Sequence, residues 1–106
     1  MLIKLNEHVL EFLIDKAKLR SECYPNQVPM DCPESIEVFD ELDSLLIEEL
    51  VPIYAIFVLG NNGTNSKSEA IQKATEAGYT SVELMAFEPK LHDILTKGFE
   101  TWQNVN

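Results

Sequence analysis

The chain has 106 residues, 45% of them hydrophobic, and a formal net charge of −10, which suits one compact domain over 1–106 with a single core. Its longest apolar run, Val51 to Leu59, carries Pro52 and Tyr54 and falls far short of the roughly 20 residues a membrane span needs. The charge excess disfavours direct contact with nucleic acid or anionic lipid.

Residues 2–5 alternate Leu2, Ile3 and Leu5 with Lys4, an extended stub. They meet Asn6 and Glu7 at once, without the staged composition of a signal peptide, so a cytoplasmic protein is expected. Asn6 is a good N-cap. Glu7 and Glu11 in the early turns and Lys16, Lys18 and Arg20 in the late ones complement the helix dipole. A first helix is predicted from Glu7 to Ser21, with Val9, Leu10, Phe12, Leu13, Ala17 and Leu19 on its apolar face.

Residues 24–33 hold Pro25, Pro29 and Pro33, which restrict their own φ and the residue before each, so a loop is expected. Cys23 just before it and Cys32 within it stand at a spacing that matches neither CxxC nor a paired metal site. A disulfide between them is sterically permitted, and a reducing compartment favours the thiols.

From Pro33, a favoured first helical position, Ile36, Phe39, Leu42, Leu46 and Leu50 recur at spacings of three and four and predict the inward stripe of a helical segment. Glu34, Glu37, Glu41, Ser44 and Glu48 take the opposite phase. Whether 33–51 is one helix or two stays open, with a joint expected near Asp43-Ser44, an internal N-cap signal, or near Pro52. Residues 53–59 are apolar all round and read as a central buried helix ending at Gly60.

Residues 60–66 form a turn cluster. Ser66-Lys67-Ser68-Glu69 has the capping-box form, opening a helix on the small residues Ala70, Ala74 and Ala77 that Gly78 ends. Thr80-Ser81-Val82-Glu83 repeats the form and opens a short helix through Leu84 and Met85. Pro89 stops it and starts a last helix striped by Leu91, Ile94, Leu95, Phe99 and Trp102. Gly98 inside that helix costs about 1 kcal/mol against Ala, which implies that something approaches closely there. The fold expected is an all-α bundle of five or six short helices.

Three segments carry a likeness. Leu2 to Val9 followed by Ile14-Asp15-Lys16-Ala17, then Phe39 to Leu42 with Leu50-Val51 and Val58-Leu59-Gly60, and finally Leu84 to Phe99, with Pro89, Asp93 and Gly98 in register, together resemble a bacterial, chiefly proteobacterial, domain-of-unknown-function family, number 3775. The chain has Val58 where that family has Trp and Asn61-Asn62 where it has Arg-Gly. The resemblance implies a helical domain and carries no chemistry.

Catalytic and metal patterns are thin. Glu7, His8 and Glu11 on the first helix and Glu88 with His92 near the last could be imagined as a two-helix metal site. The repeated Glu-x-x-His motifs of such bundles are absent, and surface residues near helix starts account for both groups. Cys32 with His92 as base is disfavoured because acidic surroundings raise a thiol pKa. No phosphate-binding loop follows a strand. No catalytic, metal or cofactor residue is therefore assigned.

What stands out is charge placement. No Lys or Arg occurs between Arg20 and Lys67, whereas mixed signs are usual on a surface that is merely soluble. The sequence thus predicts a non-enzymatic interaction domain, of inhibitor or immunity type, that presents Glu34, Glu37, Asp40, Glu41 and Glu48 to a basic protein partner. The alternative is a structural module that forms a homodimer through the apolar surplus at Ile53 to Leu59 and Trp102.

Overall fold

A computed structural model describes residues 4–23 and 32–104 and contains six helices: α1 (Glu7–Cys23), α2 (Pro33–Asp43), α3 (Ile47–Gly60), α4 (Lys67–Ala77), α5 (Thr80–Ala86) and α6 (Leu91–Asn104). The all-α bundle is as the sequence predicts, and no strand occurs among the described residues. Most of the Pro-rich segment, 24–31, and Leu2 and Ile3 of the stub lie outside them.

Helix α1 starts where Asn6 Oδ1 accepts the Val9 N–H at 3.3 Å, the cap its side chain suits. Its buried side is Val9, Leu10, Leu13, Ala17 and Arg20. Leu19, expected on that side, is exposed instead. It is one position off the phase set by Leu13 and Ala17, and Arg20 occupies the inward place.

Helix α2 begins after extended Cys32, with Pro33 in its first turn, and stops at Asp43. The region 33–51 is thus two helices with the joint at Ser44–Leu46, not a break at Pro52. Ser44 is the C-cap of α2 rather than an N-cap. Leu46 opens α3, and the Glu49 carboxylate reaches back to accept its N–H at 3.1 Å. Pro52 sits buried inside α3. Its ring removes a bond to the carbonyl of Glu48, an exposed residue near the helix start, where the loss is tolerable.

The α2 stripe is the main correction to the sequence reading. Val38 and Leu42 are fully buried and Leu45 nearly so, whereas Ile36 is 56% and Leu46 60% exposed. The inward face is set by Ser35, Val38 and Leu42. Ile36 lies one position off that line, and Leu46 has left the helix.

Helix α3 is the predicted central helix ending at Gly60. It is apolar all round because it serves two clusters. Leu50, Ile53, Ile56 and Phe57 enter the larger core with α1, α2, α5 and α6. Val51, Ala55, Val58 and Leu59 meet Ala70 and Ala74 of α4. Helix α4 is capped by Ser66, whose Oγ accepts the Glu69 N–H at 3.3 Å, and it ends at Gly78 with φ +55°. Helix α5 begins after Tyr79, whose side chain makes no capping bond, and not with a Thr80 capping box. The Thr80 hydroxyl donates instead to the Ala77 carbonyl at 2.6 Å.

The close approach expected at Gly98 is present. A Cβ on Gly98 would stand 1.9 Å from the Ile56 carbonyl oxygen, and one on Gly60 would stand 1.8 Å from that of Ile94. The backbones of α3 and α6 therefore touch, with the two glycines opposite each other. Gly60 is a packing residue as well as a helix end.

Candidate functional site

The five acidic residues singled out from the sequence do not share one stripe. Glu34 is buried at 8% exposure, and its Oε1 accepts no hydrogen bond. It lies one turn before Val38, so the phase that buries Val38 and Leu42 carries Glu34 inward too. Glu37 pairs with Lys16 of α1 at 2.5 Å. Asp40 is exposed and Glu41 half-buried on α2, while Glu48 is exposed at the start of α3, beyond the joint.

The acidic surface therefore has two parts. One is a groove of about 530 Å³ where the starts of α1 and α3 meet, walled by Glu7, His8, Glu11, Glu48 and Glu49 with Lys4, Leu5 and Asn6. The other is a groove of about 360 Å³ between α2 and α5, lined by Phe39, Asp43, Tyr79, Thr80, Val82 and Glu83. No Lys or Arg lines the second. Its shape is fixed by the Tyr79 hydroxyl, which donates to the Leu45 carbonyl at 2.8 Å, and by Phe39 stacked on Phe87 at 6.1 Å.

Behind the second groove lies a residue that the sequence reading placed only as a helix-end charge. Arg20 is 3% exposed. Its guanidinium donates to Ser35 Oγ and the Ala86 carbonyl, each at 2.9 Å, and to the Glu88 carbonyl. The end of α1 is thereby tied to the first turn of α2, to the last carbonyl of α5, where a cation suits the helix dipole, and to the Glu88 carbonyl just beyond it. Burial lowers the Arg20 pKa, while the nearby Cys32, Glu88 and Glu34 act in the opposite sense. A guanidinium stays charged at any physiological pH, so these contacts persist as charge-assisted bonds. Its inward phase with Leu13 and Ala17 was the available signal.

The imagined catalytic groupings separate. Glu7, His8 and Glu11 share the first groove, but Glu88 and His92 are not among its walls. Among the described residues, no group of three or more His, Cys, Asp or Glu could hold a metal ion. Cys32 is buried beside Arg20 and Cys23 is exposed. His92 is half-buried on α6, with a buried Nδ1 that makes no hydrogen bond.

The apolar run Ile53 to Leu59 is enclosed by the chain's own two clusters, and Trp102 packs on both with Lys67 Nζ 4.0 Å from its ring centroid. That surface is not left over for a second copy. None of the described helices is long and apolar enough to cross a membrane.

Fold and surface together define an acidic all-α domain. No family model, curated protein or solved structure matches the chain.

Proposed function

We propose that this protein is a non-enzymatic interaction domain that engages a basic protein surface, as an inhibitor or immunity-type acidic mimic does. The observation that carries this reading is the lack of compensation. Against a net charge of −10, the described residues make a single ion pair, Lys16–Glu37. Asp40, Asp43, Glu48 and Glu83 all stand exposed without one. Leaving that many carboxylates unneutralised raises self-repulsion, whereas a cationic partner relieves it and gains a steered on-rate. A cytoplasmic setting and kinship with family 3775 belong to this proposal and add no chemistry to it.

The test is association kinetics with the basic protein that the immobilised domain retains from extract of its native cells. Replacing Asp40, Asp43 and Glu48 by Lys should slow association at low salt by about tenfold or more and flatten its salt dependence. An on-rate and salt dependence equal to those of the unmodified chain would refute the reading.

A further inference from the structure

We propose that the groove between α2 and α5 is the docking site for a cationic amphipathic segment of the partner, whose apolar side chain enters the groove while flanking Lys or Arg meet Asp43 and Glu83. The inference rests on the basic-partner reading and adds where and how that partner binds.

The α2 side of the groove carries it first. Ile36, Phe39, Asp40 and Asp43 follow i, i+3, i+4, i+7 spacing, so they share one side of the helix over about 10 Å of its length. That side is neither plain core nor plain solvated face. Ile36 is 56% exposed at one end, and Phe39 is partly buried against the core in the middle. Tyr79, which lines the groove, is 49% exposed and held to the α2–α3 joint by its bond to the Leu45 carbonyl, and Leu46 in that joint is 60% exposed. Phe39 and Tyr79 thus offer apolar surface inside the concavity, and Ile36 and Leu46 stand exposed at the two ends of the adjoining helix and joint, a pattern that marks interaction sites more than single scattered residues do.

Charge selects the occupant. Asp43 and Glu83 are exposed on opposite walls of the groove, Asp40 lies beside it, and no cation lines it. A second copy would bring the same carboxylates against these and be repelled. An apolar partner without charge would bury them unpaired. A segment with Leu-like side chains on one face and Lys or Arg beside them meets both demands, in the manner of helix-in-groove recognition.

The experiment titrates the isotope-labelled full chain with two synthetic helical peptides of about 14 residues and equal charge, one of Leu and Lys and one with each Leu replaced by Ser. The Leu–Lys peptide should shift the amide signals of Phe39, Asp43, Tyr79, Val82 and Glu83 and bind about tenfold or more tighter than its Ser–Lys counterpart. Ile36→Ser with Leu46→Ser, both exposed positions whose change leaves the helical circular dichroism intact, should weaken it about fivefold or more. Asp43→Lys with Glu83→Lys should abolish the shifts. Equal binding of both peptides, with shifts confined to residues such as Glu48 and Glu49, would overturn the groove while leaving the basic-partner reading standing. No binding of either peptide at low salt would overturn both.

Discussion

The α3–α6 crossing and the α2–α5 side of the molecule are built on opposite principles. At the crossing, Gly60 and Gly98 bring two backbones into contact, and the residues of α3 from Val51 to Leu59 are buried save the half-buried Tyr54. Across the molecule, α2 and α5 meet in the core through Val38, Leu42, Val82 and Met85, but a buried arginine, a tyrosine hydroxyl and one aromatic stack also join them, and apolar side chains are left outside. Close packing tolerates no alternative geometry and exposes nothing for recognition. A polar anchor fixes the elements at a few points and leaves a concave, partly apolar surface between them. The difference separates a close-packed scaffold from the face proposed for docking.

The contrast breaks most visibly at Gly98. Alanine is a better helix former by about 1 kcal/mol. Its Cβ would nevertheless lie 1.9 Å from a backbone oxygen that cannot swing aside. Sterics should win, with Gly98→Ala costing about 3 kcal/mol or more in urea denaturation. An unchanged midpoint would mean that the backbones do not touch.

Next in size is Arg20→Met. It leaves the Ser35 hydroxyl and two carbonyls without their donor, and Glu34 buried without a nearby cation. A loss of about 2 to 3 kcal/mol is expected, against less than about 0.5 for Leu19→Ala next to it. Equal losses would show that Arg20 is not an anchor.

Ser66→Ala removes the α4 cap and should cost about 1 kcal/mol. Because α4 meets α3 through Ala70 and Ala74, hydrogen exchange should quicken in α4 first. Quickening in α2 instead would place the two regions in one cooperative unit.

The smallest effect is at Tyr54, whose hydroxyl burial holds above its ordinary pKa of 10.0. The folded chain keeps this proton longer than the unfolded chain does. Its contribution to stability is complete below pH 10 and is lost as pH rises through the raised value. Tyr54→Phe should therefore flatten the alkaline part of the stability profile, read by denaturation at pH 9 and above pH 10. A profile as steep as before would locate the titration elsewhere.

How much of this was legible in the sequence follows the range of the interactions. Asn6, Pro33, Ser66 and Gly78 act on neighbours within a turn, and each marks its helix end as read. Gly98 was legible as a close approach because a glycine in mid-helix needs a reason. The phase of α2 was not, because apolar spacing alone favoured Ile36 and Leu46 as core residues. The phase is set by Val38 and Leu42 turning inward together with Ser35, which Arg20 holds across 15 positions, while Arg20 in turn reaches Ala86 across 66. Local periodicity carries no trace of such partners. The acidic stripe failed at Glu34 with the phase, which turns it inward, and at Glu48 with the joint, which places it on α3. The charge excess itself did not, because it needs no geometry.

The proposed docking face requires that α2 turn Ile36 outward while it buries Leu42, two residues that periodicity alone would place on one stripe. Equilibrium denaturation of Ile36→Ala and Leu42→Ala decides this directly. With Ile36 56% exposed and Leu42 fully buried, Leu42→Ala should cost about 2 to 5 kcal/mol and Ile36→Ala less than about 0.5. Comparable losses at both positions would place Ile36 in the core and contradict the account.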